Sequence, residues 1–180
     1  RRIPIHPSAL VIGGGVAGLT AARDLADRGF DVTVIESGPF LGGRMAQLDR
    51  LYPTEQRARE LLKPLVDEVV RHPRITIHTN AELLQATGFI GDFRTTVRLH
   101  PRGVEASLKT AAAAMAICPE EAPDPFNYGL TKRKAISLSY EGSYPPYPAI
   151  DWKACTKCGK CVEAAGGAGI DLEGQPTDIE

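Results

Sequence analysis

The feature that most constrains this chain is a glycine-rich turn set between an apolar strand and an amphipathic helix. Ala9-Leu10-Val11-Ile12 is a short, wholly apolar run, the pattern of a strand buried on both faces. It leads into Gly13-Gly14-Gly15-Val16-Ala17-Gly18, a G-x-G-x-x-G pattern. Val16 to Arg28 then reads as a helix with Leu19, Ala22 and Ala26 on one face, and Gly29 follows as its terminating residue. Asp31 to Ile35 is a second strand that ends at Glu36. Strand, helix and strand in this order make a βαβ unit. In that setting the first glycine makes the tight turn, the second lets backbone approach a pyrophosphate, and the third allows close helix–strand packing. The helix N-terminus offers free N–H groups and a partial positive charge to the phosphates. Glu36 lies 21 residues after Gly15 (36 − 15), where an acidic group would take the ribose hydroxyls. A glycine-rich turn without a ligand is the alternative, and the flanking elements argue against it.

The next stretch, Glu36-Ser-Gly-Pro-Phe-Leu-Gly42-Gly43-Arg44, bears on which dinucleotide is bound. It resembles the second signature of the two-dinucleotide-binding-domain flavoproteins, and the resemblance implies a loop that wraps the adenosine and phosphates of FAD. Gly42 and Gly43 permit close backbone approach, and Arg44 can pair with a phosphate or stand as a solvated surface arginine. Ala17 and Leu83 complete the expected cofactor-binding set.

Beyond this unit, Glu55 to His72 reads as a helix with Leu61, Leu65 and Val69 along one stripe, and Pro64 is expected to kink it or mark its true start. Ile75 to His78 looks like a third strand, and Leu83 to Leu99 like a meander or hairpin broken at Gly88 and Gly91. From Val104 the character changes. Ala111 to Ala116 reads as a short helix, Pro119 to Pro125 as a loop, and Ser143 to Pro148 as a Pro/Tyr-rich connector. The expected organisation is an FAD-binding domain over 1–103, an inserted module over 104–173, and a return toward the first domain over 174–180. A net charge of −1 gives no pull toward nucleic acid or anionic membrane, and no apolar run reaches the roughly 18–20 residues that span a bilayer. Arg1 to Pro7 has no apolar core of a signal peptide and reads as a linker, so a cytoplasmic setting is expected.

The four cysteines are Cys118, Cys155, Cys158 and Cys161, the last three as C-x₂-C-x₂-C. In a cytosolic protein such a cluster is more often a metal or redox site than a disulfide framework. A bacterial ferredoxin run would continue x₃-C-P, but here that position is Ala165, followed by Gly166. In two-cluster ferredoxins the fourth cysteine of each run serves the other cluster, and Cys118-Pro119 is such an ending. Counting back from Cys118, the other ligands of an upstream run would be Leu108, Ala111 and Ala114. Cys118 and Ala165 are 47 positions apart (165 − 118), as are Leu108 and Cys155 (155 − 108). The vacant positions form one complete ligand set and the retained cysteines the other. We read a duplicated ferredoxin module that has lost one cluster and kept one [4Fe–4S] site. Structural zinc and metal-free thiols are the alternatives. Zinc usually takes paired C-x₂₋₄-C knuckles, and three packed reactive thiols are a liability unless ligated.

The order of these parts resembles HdrA, the flavin-bearing component of heterodisulfide reductase, and its relatives. The flavin motif matches, as do Gly42-Gly43-Arg44-Met45-Ala46-Gln47-Leu48-Asp49, Tyr52-Pro53-Thr54, His72-Pro73, Gly88 to Phe93, Gly129-Leu130 and Arg133-Lys134-Ala135-Ile136. Methanogen members carry further cysteines after the Pro-Thr pair. Arg57 and Glu60 stand near those places, so that cluster is expected to be absent. Members also continue past Ile170-Asp171-Leu172 into a strand and another glycine motif, so the chain is expected to be part of a longer protein. An intact mass near 19 kDa for the source protein would overturn that.

The resemblance implies an α/β fold: a Rossmann-like FAD-binding βαβ unit with an inserted ferredoxin-like α+β iron–sulfur module. It implies an electron-transfer role alongside other redox subunits, with a homodimer of the flavin-bearing chain as an option. No residue reads as a general acid, base or nucleophile, and His6, His72, His78 and His100 show no ligand spacing. The rival enzyme reading is a pyridine-nucleotide-dependent reductase of the glutamate-synthase small-subunit type, which usually needs a second G-x-G-x-x-G. A non-catalytic scaffold with decayed sites is the third, and would be colourless.

Overall fold

The computed structural model describes residues 6–89 and 91–180. The first five residues of the expected N-terminal linker, and Ile90 of the Gly88 to Phe93 landmark, lie outside the described residues. The chain divides into two compact units, one formed by the residues up to His100 together with Pro176–Glu180, the other by Pro101–Gln175.

In the first unit, β1 (Ser8–Ile12) passes through the glycine turn into α1 (Val16–Asp27), which returns to β2 (Asp31–Glu36). β1 and β2 pair in parallel, with Leu10 opposite Thr33 and Ile12 opposite Ile35. Leu19, Ala22 and Ala26 are the buried residues of α1, the stripe that periodicity predicts, and the last two pack with Val32 and Val34. A 3-10 turn at Gly43–Gln47 precedes a small ribbon of β3 (Arg50–Leu51) and β4 (Gln56–Arg57). α2 (Ala58–Arg71) follows and leads to β5 (Ile75–Thr79), which pairs in parallel with β2.

Two expectations for α2 are corrected. The helix begins at Ala58 and runs through Pro64, so the proline does not mark its start. Its buried stripe is Ala58, Leu62, Leu65, Val66 and Val69, while Leu61 is 43% exposed. A stripe of strict four-residue steps drifts around a helix of 3.6 residues per turn; mixed steps of three and four do not.

β6 (Ala81–Phe89) and β7 (Asp92–Leu99) form an antiparallel hairpin with a register shift between Leu83 and Gln85. Gly88 does not break β6 but pairs with Phe93 inside the ladder. The strand Thr177–Ile179 pairs with the other edge of β7, placing Thr177 opposite Leu99, and Ile179 packs near Ile35, Ala81 and Val97.

The second unit holds α3 (Ala111–Ile117), β8 (Glu121–Pro123), β9 (Lys132–Lys134), β10 (Ile136–Ser137), β11 (Ala149–Ile150) and α4 (Lys160–Ala164); Thr177–Ile179 is then β12. The stretch expected to be a loop at Pro119 to Pro125 instead contains β8, paired antiparallel with β9. Proline is tolerated there because the pairing is a two-stranded ribbon with an open edge. β10 pairs with β11, and Val104 bridges Ile170. The core is built on Val104, Ala114, Cys118, Ala135, Ile136, Ile150 and Cys161. Arg102 ties down the Pro/Tyr-rich connector, donating to the Tyr147 and Pro148 carbonyls at 2.6 and 3.0 Å. No helix among the described residues is long and apolar enough to cross a membrane.

Candidate functional site

The first unit builds a cradle from three segments. Gly13 N–H donates to the Ile35 carbonyl at 2.7 Å, which closes the turn onto β2. The Glu36 carboxylate is then fixed by backbone on both oxygens: Gly14 N–H donates to Oε2 and Gly38 N–H to Oε1, each at 2.7 Å. Ser37 Oγ also donates to Oε1 at 3.3 Å, and Oε2 keeps acceptor capacity beyond its one amide, as a ribose hydroxyl needs. The third segment is the Gly42–Gly43 loop. Gly42 N–H donates to the Gly14 carbonyl at 2.8 Å, and Gly15 and Gly42 form a parallel bridge. Gly42 has φ +111°, a backbone that side-chain-bearing residues avoid.

The absence of side chains is what lets these segments meet. A Cβ on Gly14 would overlap Leu41 Cδ2 and lie 3.2 Å from Glu36 Cβ, and one on Gly43 would lie 3.0 Å from Gly15 Cα. A Cβ on Gly18 would overlap the Gly13 carbonyl oxygen. α1 opens without a side-chain cap and without an acidic residue in its first turn, so its leading N–H groups are available to an anion. Val16, Ala17, Gly43 and Arg44 are exposed beside this turn. A cradle of bare backbone, a helix N-terminus and a clamped carboxylate fits a dinucleotide. Leu83 is half-buried on β6 and packs against Ile35, Ala81 and Val97. Leu41, 1% exposed, is a contributor that sequence reasoning missed, because its apolar type carries no functional signal.

Glu36→Gln is expected to weaken dinucleotide binding at least tenfold and to destabilise the first unit by about 1.5–3 kcal/mol. The amide has one acceptor oxygen in place of two, so Gly14 or Gly38 would face an NH₂ group. Equilibrium titration with the cofactor and a denaturant melt check both effects; unchanged affinity would remove Glu36 from the site.

The second unit gathers cysteines from two distant segments. Cys118, Cys155, Cys158 and Cys161 all line one pocket, together with Glu120, Ala135, Ile136 and Leu172. Cys118 and Cys161 are buried, Cys155 is half-buried and Cys158 is exposed. Cys118 closes α3, and its thiol lies 3.7 Å from the Glu120 carbonyl. Lys157 holds a left-handed backbone (φ +56°), which turns its N–H onto Cys155 Sγ at 3.4 Å. Gly159 caps α4, which carries Cys161. Burial pushes the Cys161 thiol above its ordinary range, and Cys155 and Cys118 push the same way against a partly offsetting Val162 N–H. Among the described residues no three His, Cys, Asp or Glu side chains converge closely enough to hold a single metal ion.

Of the four positions read as an absent ligand set, Ala114 and Leu108 lie in or against the core of this unit, while Ala111 and Ala165 are half-buried. Ala114 is completely buried in the core beside Cys118 and Cys161, and Leu108 packs against that core. A Cβ on Gly169 would come within 2.9 Å of Leu108 Cδ1, so leucine occupies its place tightly.

Residues 11–83 match a family model described as an NAD(P)-binding Rossmann-like domain. The iron-sulfur HdrA component of the CoB–CoM heterodisulfide reductase of Methanocaldococcus jannaschii is 39% identical over 179 residues, 99% of this chain and 27% of its own length. The chain belongs to the HdrA-like family of heterodisulfide reductase proteins. An HdrA-like protein of Archaeoglobus profundus is 40% identical over 162 residues, 88% of this chain and 23% of its own length. The chain thus spans about a quarter of the length of the relatives it matches. Among solved structures, L-proline dehydrogenase from P. horikoshii aligns at 26% identity and a TM-score of 0.44, over 54% of this chain and 19% of its own. The Rossmann-like match covers the glycine fingerprint, Glu36 and the Gly42–Gly43 loop. The likeness to the HdrA proteins runs on through the cysteine-bearing unit.

Proposed function

We propose that this chain is part of an electron-transfer flavoprotein that serves as one subunit of a heterodisulfide-reductase-like complex. FAD would be held by Gly13, Gly14, Gly15, Ala17, Gly18, Glu36, Gly42, Gly43 and Arg44, and one [4Fe–4S] cluster by Cys118, Cys155, Cys158 and Cys161. The observation that carries the reading is the pocket: a lone Cys-Pro cysteine and a C-x₂-C-x₂-C run line the same cavity, while two positions of the complementary set, Ala114 and Leu108, lie in or against the apolar core. One [4Fe–4S] cluster would take one thiolate from each of the four cysteines and would supply one-electron chemistry there.

When bound, the flavin exchanges electrons in pairs and the cluster one at a time, so together they couple a two-electron partner to a one-electron path. The residues of this chain supply binding and tuning. Glu36 orients the ribose, the glycine cradle and α1 N-terminus take the pyrophosphate, and Arg44 offers a countercharge. The Lys157 N–H stabilises negative charge on the Cys155 sulfur. The Methanocaldococcus jannaschii relative is a subunit of CoB–CoM heterodisulfide reductase, which supports other redox subunits as partners.

The test is metal and flavin analysis of the anaerobically purified full-length protein, with EPR after dithionite reduction. About four irons, one cluster spin and one FAD per chain are expected. No cluster signal with about one zinc per chain would make the cysteines a structural clip. A colourless protein would overturn both cofactor assignments.

A further inference from the structure

The cluster reading above leaves a physical question: what holds Cys118 and Cys155, which lie on separate segments, at a fixed spacing? Three backbone hydrogen bonds run between their segments. The Ala135 N–H donates to the Glu120 carbonyl at 3.0 Å, just after Cys118-Pro119. The Asp151 N–H donates to the Ala135 carbonyl at 2.7 Å, and the Cys155 N–H donates to the Asp151 carbonyl at 2.9 Å. Asp151 is therefore the residue on which the Cys155 turn hangs.

Its side chain is also engaged. Asp151 Oδ1 accepts from the Lys153 N–H at 3.0 Å, which shapes the turn, and Oδ2 accepts from Arg133 Nη2 at 2.7 Å. Arg133 sits on β9. Its Nη1 donates to Ser137 Oγ at 3.1 Å, and its Nε lies 3.8 Å from Asp124 Oδ1. The three charged side chains are only 17–22% exposed, unlike the solvent-facing ion pairs elsewhere in the chain. Asp124 in turn fixes the loop between β8 and β9, accepting from the Phe126 N–H at 3.0 Å. The hairpin that follows Cys118 and the turn that carries Cys155 are thus joined through one guanidinium.

We infer that Arg133 is a positioning residue for the iron–sulfur site: with Asp151 and Asp124 it locks the Cys155 turn against the Cys118 segment. The inference rests on the cluster reading and adds a residue that touches neither cysteine. Arginine suits the role because its planar fork serves Asp151, Asp124 and Ser137 in one fixed geometry, which a lysine ammonium matches only in part.

The experiment compares the full-length protein with Arg133→Lys, Arg133→Met and the double variant Arg133→Met/Asp151→Asn, which removes the carboxylate that the single variant strands. Cluster loss to an iron chelator, the EPR line shape and the midpoint potential are measured, with far-UV circular dichroism of each apoprotein. Arg133→Met is expected to lose its cluster about tenfold faster or more and to show a broadened, shifted signal. Arg133→Lys is expected to recover most of both. The double variant is expected to fold as apoprotein yet keep the fast loss, which separates positioning from stability. Parent-like chelation and EPR in Arg133→Met, or in the double variant should the single one not fold, would overturn the inference with the cluster assignment intact. A parent protein that takes up no cluster would overturn the assignment, and this inference with it.

Discussion

Gly18→Ala is expected to strip the dinucleotide from the first unit and to destabilise it by about 2 kcal/mol or more. The sign is the informative part. At an ordinary helix position, alanine is favoured over glycine by roughly 0.5–1 kcal/mol. Here the added Cβ would overlap the Gly13 carbonyl oxygen and lie 3.3 Å from Val11 Cγ1. The first obstacle is backbone, and the Gly13 N–H is itself bound to the Ile35 carbonyl, so the turn cannot yield without loosening β2. Thr20→Ala, two residues further along α1, removes only a bond to its own helix at Val16 and is expected to stay within about 0.5 kcal/mol of the parent. Denaturant melts and flavin retained through gel filtration give both readings. A Gly18→Ala protein as stable and as yellow as the parent would show that α1 does not approach the turn this closely.

If the four cysteines hold the proposed cluster, Cys118→Ala is expected to abolish it as completely as Cys161→Ala, taking iron from about four per chain to near none. This is the sharpest test of the split ligand set, because Cys118 lies outside the C-x₂-C-x₂-C run. It also lies in the core with Ala114, Ile136 and Ile150, so the substitution costs about 1 kcal/mol of packing, too little to unfold a domain of ordinary stability. Iron analysis, EPR and a thermal melt on one preparation separate the two effects. A full cluster in Cys118→Ala would assign the fourth ligand elsewhere.

The βαβ unit is legible in the sequence because its signals are local: an apolar run, three glycines, a 3.6-residue stripe and an acid at the next strand end. The stripe of α2 is less legible. Leu61 and Leu62 are adjacent, and only the true start at Ala58 shows that Leu62, not Leu61, faces inward. β8 reads as loop because Pro119, Pro123 and Pro125 crowd it, yet Pro123 needs no N–H bond in a two-stranded ribbon. The placement of Glu36 at the glycine turn follows from the fingerprint, whereas its clamps from Gly14 and Gly38 emerge only from the fold. The link from Arg133 to Asp151 does not, since nothing in the spacing of two charged residues on separate segments says that they meet.

β7 gives up the chain after Leu99 and β12 takes it back at Thr177, directly opposite in the same ladder. Arg98 and Asp178 close that junction with two bonds of 2.8 and 2.9 Å. All of Pro101–Gln175 therefore occupies the gap that a hairpin turn of two to five residues would otherwise fill. In evolutionary terms the cysteine-bearing unit is a cassette. The unit can change in sequence, or the whole piece can be exchanged, while the host sheet keeps its register. A protein assembled this way can alter what the unit carries without relearning how to fold.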